Sequence, residues 1–161
     1  MRSKARAILI RVRNRVRSLA RGEAGQSLLE VALTLPVLLL IGVGIFEFGR
    51  AYQTWLVVSN AAREGARVAI LPNSTTSDVQ TRVVTYLQNG QLDNYLAATV
   101  TVNQSDTVPL ATGTASSSVV TVNYPFAFMV LNGVANLVVS GSTAGTPITL
   151  TAAAEMRNEA Q

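Results

Sequence analysis

The chain has 161 residues, of which 48% are hydrophobic and only 14% are charged, and it contains neither cysteine nor histidine. Ordinary cytosolic domains have roughly 25% charged residues, so this composition is not typical of them. Without cysteine and histidine there are no disulfides, thiol nucleophiles or Ser-His-Asp triads, and no zinc, haem or iron–sulfur sites built on those ligands. No P-loop, nucleotide-binding glycine fingerprint or G-x-S-x-G motif occurs. We therefore expect no enzyme, no cofactor, no metal and no small-molecule substrate.

The net charge of +4 is unevenly distributed. Residues 1–25 carry eight basic side chains and one acid, a net +7, whereas residues 26–161 carry five basic and eight acidic side chains, a net −3. Because the basic charge belongs to one terminal segment, nucleic-acid binding by a basic folded surface is not expected. The segment is either an amphipathic helix on an anionic membrane surface or a disordered tail that sets topology. Its apolar residues at helical spacing are Ala5, Ile8, Leu9, Val12, Val16 and Leu19.

A long apolar helix is predicted after this basic segment. The apolar stretch covers about residues 28–48, enough to cross a hydrocarbon core of ~30 Å at ~1.5 Å per residue. Helical spacing continues beyond it, so we predict one helix over roughly 26–71, ended by Pro72 and kinked at Pro36. Because most arginines precede the span, the N-terminus is expected in the cytoplasm and the C-terminal part outside. No A-x-A sequence follows the run, so signal-peptide cleavage on the far side is disfavoured.

Residues 73–161 are expected to form a small extracytoplasmic α+β domain, after a leader at 1–25 and the long helix at 26–72. A helix is predicted over 78–88, capped by Thr75, Thr76 or Ser77 and ended at Asn89-Gly90. Alternating apolar and polar residues predict three or four antiparallel strands, while Leu131 to Val139 fits either helix or strand. The predicted strands lie near 98–103, 120–124 and 148–152, and the predicted breaks at 103–107, 112–118 and 140–147.

Charged and small residues follow the span at helical spacing. Glu47 with Arg50, and Glu64 with its neighbouring arginines, are either ion pairs that set register between subunits or a solvated helix face, which we favour. A face of small residues allows close approach of another helix or, as we prefer, of the C-terminal sheet. That face consists of Ala61, Ala62, Gly65, Ala66 and Ala69. The aromatic stretch Tyr124 to Met129 is interpreted as core rather than as an exposed contact patch.

The junction between the leader and the helix contains the most informative motif. Gly25 is followed by four residues, then Glu30, then the apolar run. This arrangement resembles the type IV prepilins, in which a membrane aspartyl peptidase cuts after a glycine and the fifth mature residue is a glutamate. The resemblance implies cleavage between Gly25 and Gln26 and a role for Glu30 in assembly register. Gly22 fails the same test, because Ser27 stands where the glutamate is required.

A narrower resemblance covers Gly25 to Pro72, which is similar to the TadE-like family of tight-adherence (Tad) pilus loci. The most specific blocks are Glu47-Phe48-Gly49-Arg50 and Asn60-Ala61-Ala62-Arg63-Glu64-Gly65-Ala66-Arg67. The resemblance implies a minor, pilin-like component of pilus assembly, with a prepilin peptidase, other pilins or pseudopilins, pilus assembly proteins and membrane lipid as partners. The competing hypothesis is an uncleaved, membrane-anchored binding or adhesion module, and the state of the mature N-terminus discriminates the two.

Overall fold

The structure is a computed structural model that describes residues 2–111 and 113–158, with side chains described for 25–109, 111 and 113–158. The fold is α+β, as predicted: a long N-terminal helix is followed by further helices and an antiparallel sheet. The helices are α1 (Arg2–Ala69), α2 (Thr76–Asn89) and α3 (Leu131–Val138), with a 3-10 turn at Tyr95–Ala97. The strands are β1 (Thr99–Leu110), β2 (Gly113–Phe126) and β3 (Ile148–Arg157).

The long helix starts earlier than its predicted beginning near residue 26, because α1 runs without interruption from Arg2 and includes Pro36. The apolar face predicted for residues 5–19 consists of side chains outside the described part of the chain. At its other end α1 stops at Ala69, close to the predicted end at 71. The carbonyl of Ala69 accepts hydrogen bonds from Ser74 Oγ at 3.2 Å and Gln104 Nε2 at 3.1 Å, which satisfy one of the groups that a helix end leaves unpaired.

The second helix confirms the predicted cap. Thr75 accepts a hydrogen bond from the backbone N–H of Asp78, and the Asp78 carboxylate accepts one from the N–H of Thr75, a complete capping box. Gly90 follows the helix end, as predicted from the Asn-Gly pair. Val79, Val83 and Leu87 are fully buried, so this short helix presents one apolar stripe to the core.

Within the described part of the chain, the sheet has three antiparallel strands in the order β1-β2-β3, with β2 in the centre. Its alternation is the predicted one, since Val120, Val122, Tyr124 and Phe126 of β2 are all buried. These side chains face α1, whose small residues let the sheet approach closely. The small-residue face of α1 is buried, with Ala61, Ala62 and Ala66 fully so and Ala69 nearly so. It packs against both predicted kinds of partner, because Gly65 lies against Val83 of α2 as well as Val120 of β2.

Two of the predicted breaks are strand instead. The segment 103–107 lies within β1, where a bulge between Asn103 and Asp106 absorbs the irregularity, and the side chain of Gln104 there bonds to the end of α1. Most of 112–118 lies in β2, where the Ser117 hydroxyl donates to Glu155 at 2.8 Å. Both segments are rich in turn-forming residues, but several of their polar side chains have partners within the fold, among them Gln104, Ser117 and Ser118.

The ambiguous segment from Leu131 is the helix α3, and the predicted break at 140–147 follows it. Leu131 and Ala135 are buried on the side that packs toward α1. The aromatic stretch before α3 is divided: Tyr124 and Phe126 belong to the core, whereas Met129 is 75% exposed. The interpretation as core therefore holds for the first half of that stretch and is wrong for Met129.

Candidate functional site

Side chains of α1 are described from residue 25 onward, and the first half of that stretch presents large apolar side chains that no other described part of the chain covers. Among the residues that the structure describes, one stretch is long and apolar enough to cross a membrane. It lies in the Gly25–Ala69 part of α1, and none of it is buried. Leu28, Leu33 and Ile45 are each more than two-thirds exposed. A chain that leaves such a surface uncovered needs an apolar environment for it, either lipid or other helices.

The predicted processing residues lie at the start of this exposed half. Gly25, Gln26 and Glu30 are all exposed, and the backbone is helical through all three. A Cβ atom added to Gly25 would meet nothing within 4 Å. The fold itself therefore sets no steric requirement for glycine at position 25.

Glu47 lies at the opposite end of the apolar stretch and is fully buried. Its Oε2 accepts hydrogen bonds from Arg50 Nη2 at 2.9 Å and Nε at 3.2 Å. Its Oε1 accepts two backbone N–H groups, those of Met129 and Val130, each at 2.7 Å. All the bonds of this carboxylate are therefore made within its own chain, and it ties α1 to the residues that lead into α3.

Arg50 completes this link from the other side. Its Nη2 also donates to the carbonyl of Ala127, and its guanidinium carbon lies 4.4 Å from the centre of the Phe126 ring. The favoured interpretation of Glu47 and Arg50 as a solvated pair is therefore wrong. Charge-assisted bonds with two backbone donors and a guanidinium compensate for the burial of the carboxylate.

Sequence reasoning paired Glu47 with Arg50 but missed its other two partners, because these are backbone N–H groups, which leave no pattern in the sequence. One signal was available for the burial itself. Glu47, Ala51, Thr54 and Val58 follow each other at spacings of four, three and four, and all are buried on one stripe of α1. A helical stripe that continues the core predicts a buried acid at its first position.

The remaining motif residues divide between the core and the surface. Gly65 is a contact point, because a Cβ atom there would lie 2.6 Å from Val83 of α2 and 3.1 Å from Val120 of β2. Glu64 bonds Arg82 of α2 at 2.6 Å and lies 3.5 Å from Arg67, so this acid joins two helices. The exposed members are Phe48, Gly49, Asn60, Arg63 and Arg67.

A cleft of about 410 Å³ lies beside Arg50, between α1, the loop after α2 and the end of β2. Two aspartates of the C-terminal region lie in different places. Asp93 lines this cleft, whereas Asp106 lies in the β1 bulge, where its carboxylate accepts a hydrogen bond from Asn103 Nδ2. In the part of the chain that the structure describes, no group of three or more acidic side chains is placed to hold a metal ion.

The architecture is α+β, with one candidate membrane helix, near the N-terminus, among the residues that the structure describes. Residues 25–67 match the family described as TadE-like protein, which confirms the resemblance seen in the sequence. The match covers about a quarter of the chain, and the family it names is associated with Tad pilus assembly. No curated protein and no solved structure matches this chain.

Proposed function

We propose that this protein is a minor, pilin-like membrane component of Tad-type pilus assembly, and that a prepilin peptidase cuts it between Gly25 and Gln26. The observation that carries the proposal is that the family match and the exposed apolar part of α1 begin at nearly the same residue. The TadE-like match begins at residue 25, and the exposed apolar half of α1 begins a few residues later. The peptidase junction therefore stands directly before the segment that would enter a membrane or a filament.

Cleavage on the cytoplasmic face changes the charge of the helix end. It removes a segment of net charge +7 and creates a free amine at Gln26. Glu30 lies four residues further, one helical turn along α1. A carboxylate near the apolar region is costly without a partner, and the new amine of a neighbouring subunit supplies one. Glu30 then sets the register between subunits.

The domain beyond the span stays folded during this transfer, because its contacts with α1 involve residues from Glu47 onward. The exposed half leaves the bilayer for a bundle of similar helices formed by other pilins or pseudopilins. The external domain then caps or primes the filament. In this arrangement the N-terminus is cytoplasmic and the domain is extracytoplasmic.

Co-expression of the full chain with a prepilin peptidase tests the cleavage. Since Gly25 has open space around it, Gly25→Leu is expected to keep the fold and to abolish processing. The matched control, Gly22→Leu, is expected to be cut normally. Equal processing of the two variants would contradict the proposed junction.

Glu30→Gln separates processing from assembly. We expect this variant to be cut after Gly25 but to lose incorporation into, or priming of, the pilus, because a neutral side chain cannot form an ion pair with the terminal ammonium group. Normal pilus formation by Glu30→Gln would contradict the register role. A chain that is never cut and still binds a surface ligand would instead support the anchored binding module.

A further inference from the structure

The segment around α3 exposes a second apolar surface, separate from the span. Met129 is 75% exposed and Leu137 is 74% exposed, although both are large apolar side chains. Val139, just beyond the helix end, is 60% exposed. We call Met129, Val130, Leu137, Val138 and Val139 the α3 patch.

The hydrogen bonds of Glu47 fix where this patch lies along the direction of the membrane-spanning helix. Leu28 and Glu47 are 19 residues apart, about 28 Å along a helix, which is close to the ~30 Å thickness of a hydrocarbon core. When that stretch crosses the membrane, Glu47 lies at its outer edge. The backbone N–H groups of Met129 and Val130 bond directly to Glu47, so the α3 patch begins at the level where the span leaves the lipid.

The chemistry of the segment suits a lipid interface rather than water. Residues 107–154 contain no charged side chain, so no ion must be desolvated. The asparagines of α3 have local partners: Asn132 Nδ2 donates to the Ala144 carbonyl at 3.1 Å, and Asn136 Oδ1 accepts the N–H of Gly141 at 3.1 Å. A polar group with an internal hydrogen bond costs much less to move into an apolar environment.

Aromatic residues mark the same boundary on α1. Tyr52 and Trp55 are exposed and stack with ring centres 6.0 Å apart, five and eight residues beyond Glu47. Phe48 contacts Phe128 edge to face at 6.0 Å, which joins the end of the span to the α3 side. Tyrosine and tryptophan are the side chains enriched where a helix leaves the hydrocarbon.

We infer that the α3 patch inserts into the outer lipid interface, so that the domain rests on the membrane beside its own span. The inference relies on the membrane location within the proposed function, and it is independent of peptidase cleavage. The partner we propose is lipid, because the patch is uncharged and starts, at Met129 and Val130, beside the end of the lipid-facing helix. The domain is thus attached at two points, and both must leave the bilayer when the protein enters a filament.

Site-directed fluorescence tests this inference on the full chain, which has no native cysteine to interfere. Leu137→Cys, Ile41→Cys within the span and Thr114→Cys at the start of β2 each receive an environment-sensitive label. The purified variants are reconstituted into phosphatidylethanolamine–phosphatidylglycerol vesicles with spin-labelled acyl chains. We expect the labels at positions 137 and 41 to be quenched several-fold more strongly than the label at Thr114→Cys, which aqueous iodide quenches instead.

Three results would overturn the inference, and they have different meanings. Quenching of Ile41→Cys by lipid, with Leu137→Cys accessible to iodide, would leave the span intact and place the α3 patch in water. Shielding of Leu137→Cys from both quenchers would mean that a second copy of the chain covers it. Failure of lipid to quench either position would refute the membrane span itself, and with it the membrane part of the proposed function.

Discussion

Two parts of α1, residues 28–46 and residues 47–69, are both rich in apolar residues but present them to different surroundings. Between residues 28 and 46 the large side chains of leucine, isoleucine, valine and phenylalanine point away from the rest of the chain. Between 47 and 69 the buried positions are mostly alanine, and the sheet and α2 lie against them. Side-chain size distinguishes the halves, because only small residues let a backbone approach a helix closely.

The same contrast holds for the two glutamates that limit the apolar stretch. Glu30 is exposed at the start of the apolar run, whereas Glu47 is buried at its end with its hydrogen bonds made inside the chain. One carboxylate is available to another subunit, and the other is used by the fold. Substitutions in the two halves should therefore separate folding from assembly.

The largest effect on folding is expected for Glu47→Ala. This variant leaves the guanidinium of Arg50 and two backbone N–H groups without their acceptor. We expect the free energy of unfolding in detergent to fall by about 3 kcal/mol, the lower end for a broken buried pair, since Arg50 is 28% exposed and keeps some water. The matched control, Glu30→Ala, is expected to change it by less than ~0.5 kcal/mol. Equal losses in the two variants would contradict the division of α1.

A smaller effect is expected when the close approach at Gly65 is disturbed. Gly65→Ala places a methyl group against the branched side chains of Val83 and Val120, and overpacking of this kind costs ~1–3 kcal/mol. Gly49→Ala is the control, because nothing lies within 4 Å of its added carbon and alanine favours the helix. Thermal unfolding should thus move in opposite directions for the two variants. A stabilised Gly65→Ala chain would refute the tight contact.

Loss of the α2 cap should affect only residues 47–69 of α1, because α2 packs on that part of the helix through Val83. Thr75→Ala removes the side-chain acceptor at the start of α2 and is expected to cost ~1 kcal/mol of unfolding free energy. Hydrogen exchange should rise in α2 and the domain while the lipid-protected amides of residues 28–46 stay unchanged. Faster exchange in both halves would indicate that α1 behaves as one unit.

The smallest effect is a pH dependence of the same cap. Hydrogen bonds from the Thr75 hydroxyl and backbone N–H lower the pKa of Asp78. A carboxyl whose pKa is lower in the folded chain contributes stability above its unfolded pKa and loses it as the pH falls through the folded value. The difference in melting temperature between the natural chain and Asp78→Asn should therefore be constant near neutral pH and vanish in acid. A difference that grows in acid would contradict the cap.

Sequence patterns predicted those elements whose cause is local. The α2 cap needed only Thr75 and the residues after it, and the alternation around Val120 needed only a half-buried strand. The bulge that keeps 103–107 in β1, and the strand character of 113–118, depend on partners far along the chain. Burial of Glu47 depends on backbone groups some 80 residues away, so the pattern of acids and bases around it suggested a solvated face.

The residues proposed for processing and assembly were predicted from the sequence although the fold gives no reason for them. Gly25 and Glu30 make no contact with the folded domain that would explain them, and they were found from spacing and resemblance alone. Their structural surroundings add one useful fact, the open space at Gly25. A requirement for glycine there would come from another protein and not from the fold.

The most direct test of this account is the intact mass of the protein from its native membranes, with mapping of its terminal peptides. Cleavage after Gly25 predicts that the mature chain begins at Gln26 and lacks the whole basic leader. A population in which every molecule retains residues 2–25 would contradict the pilin-like role and favour an anchored binding module.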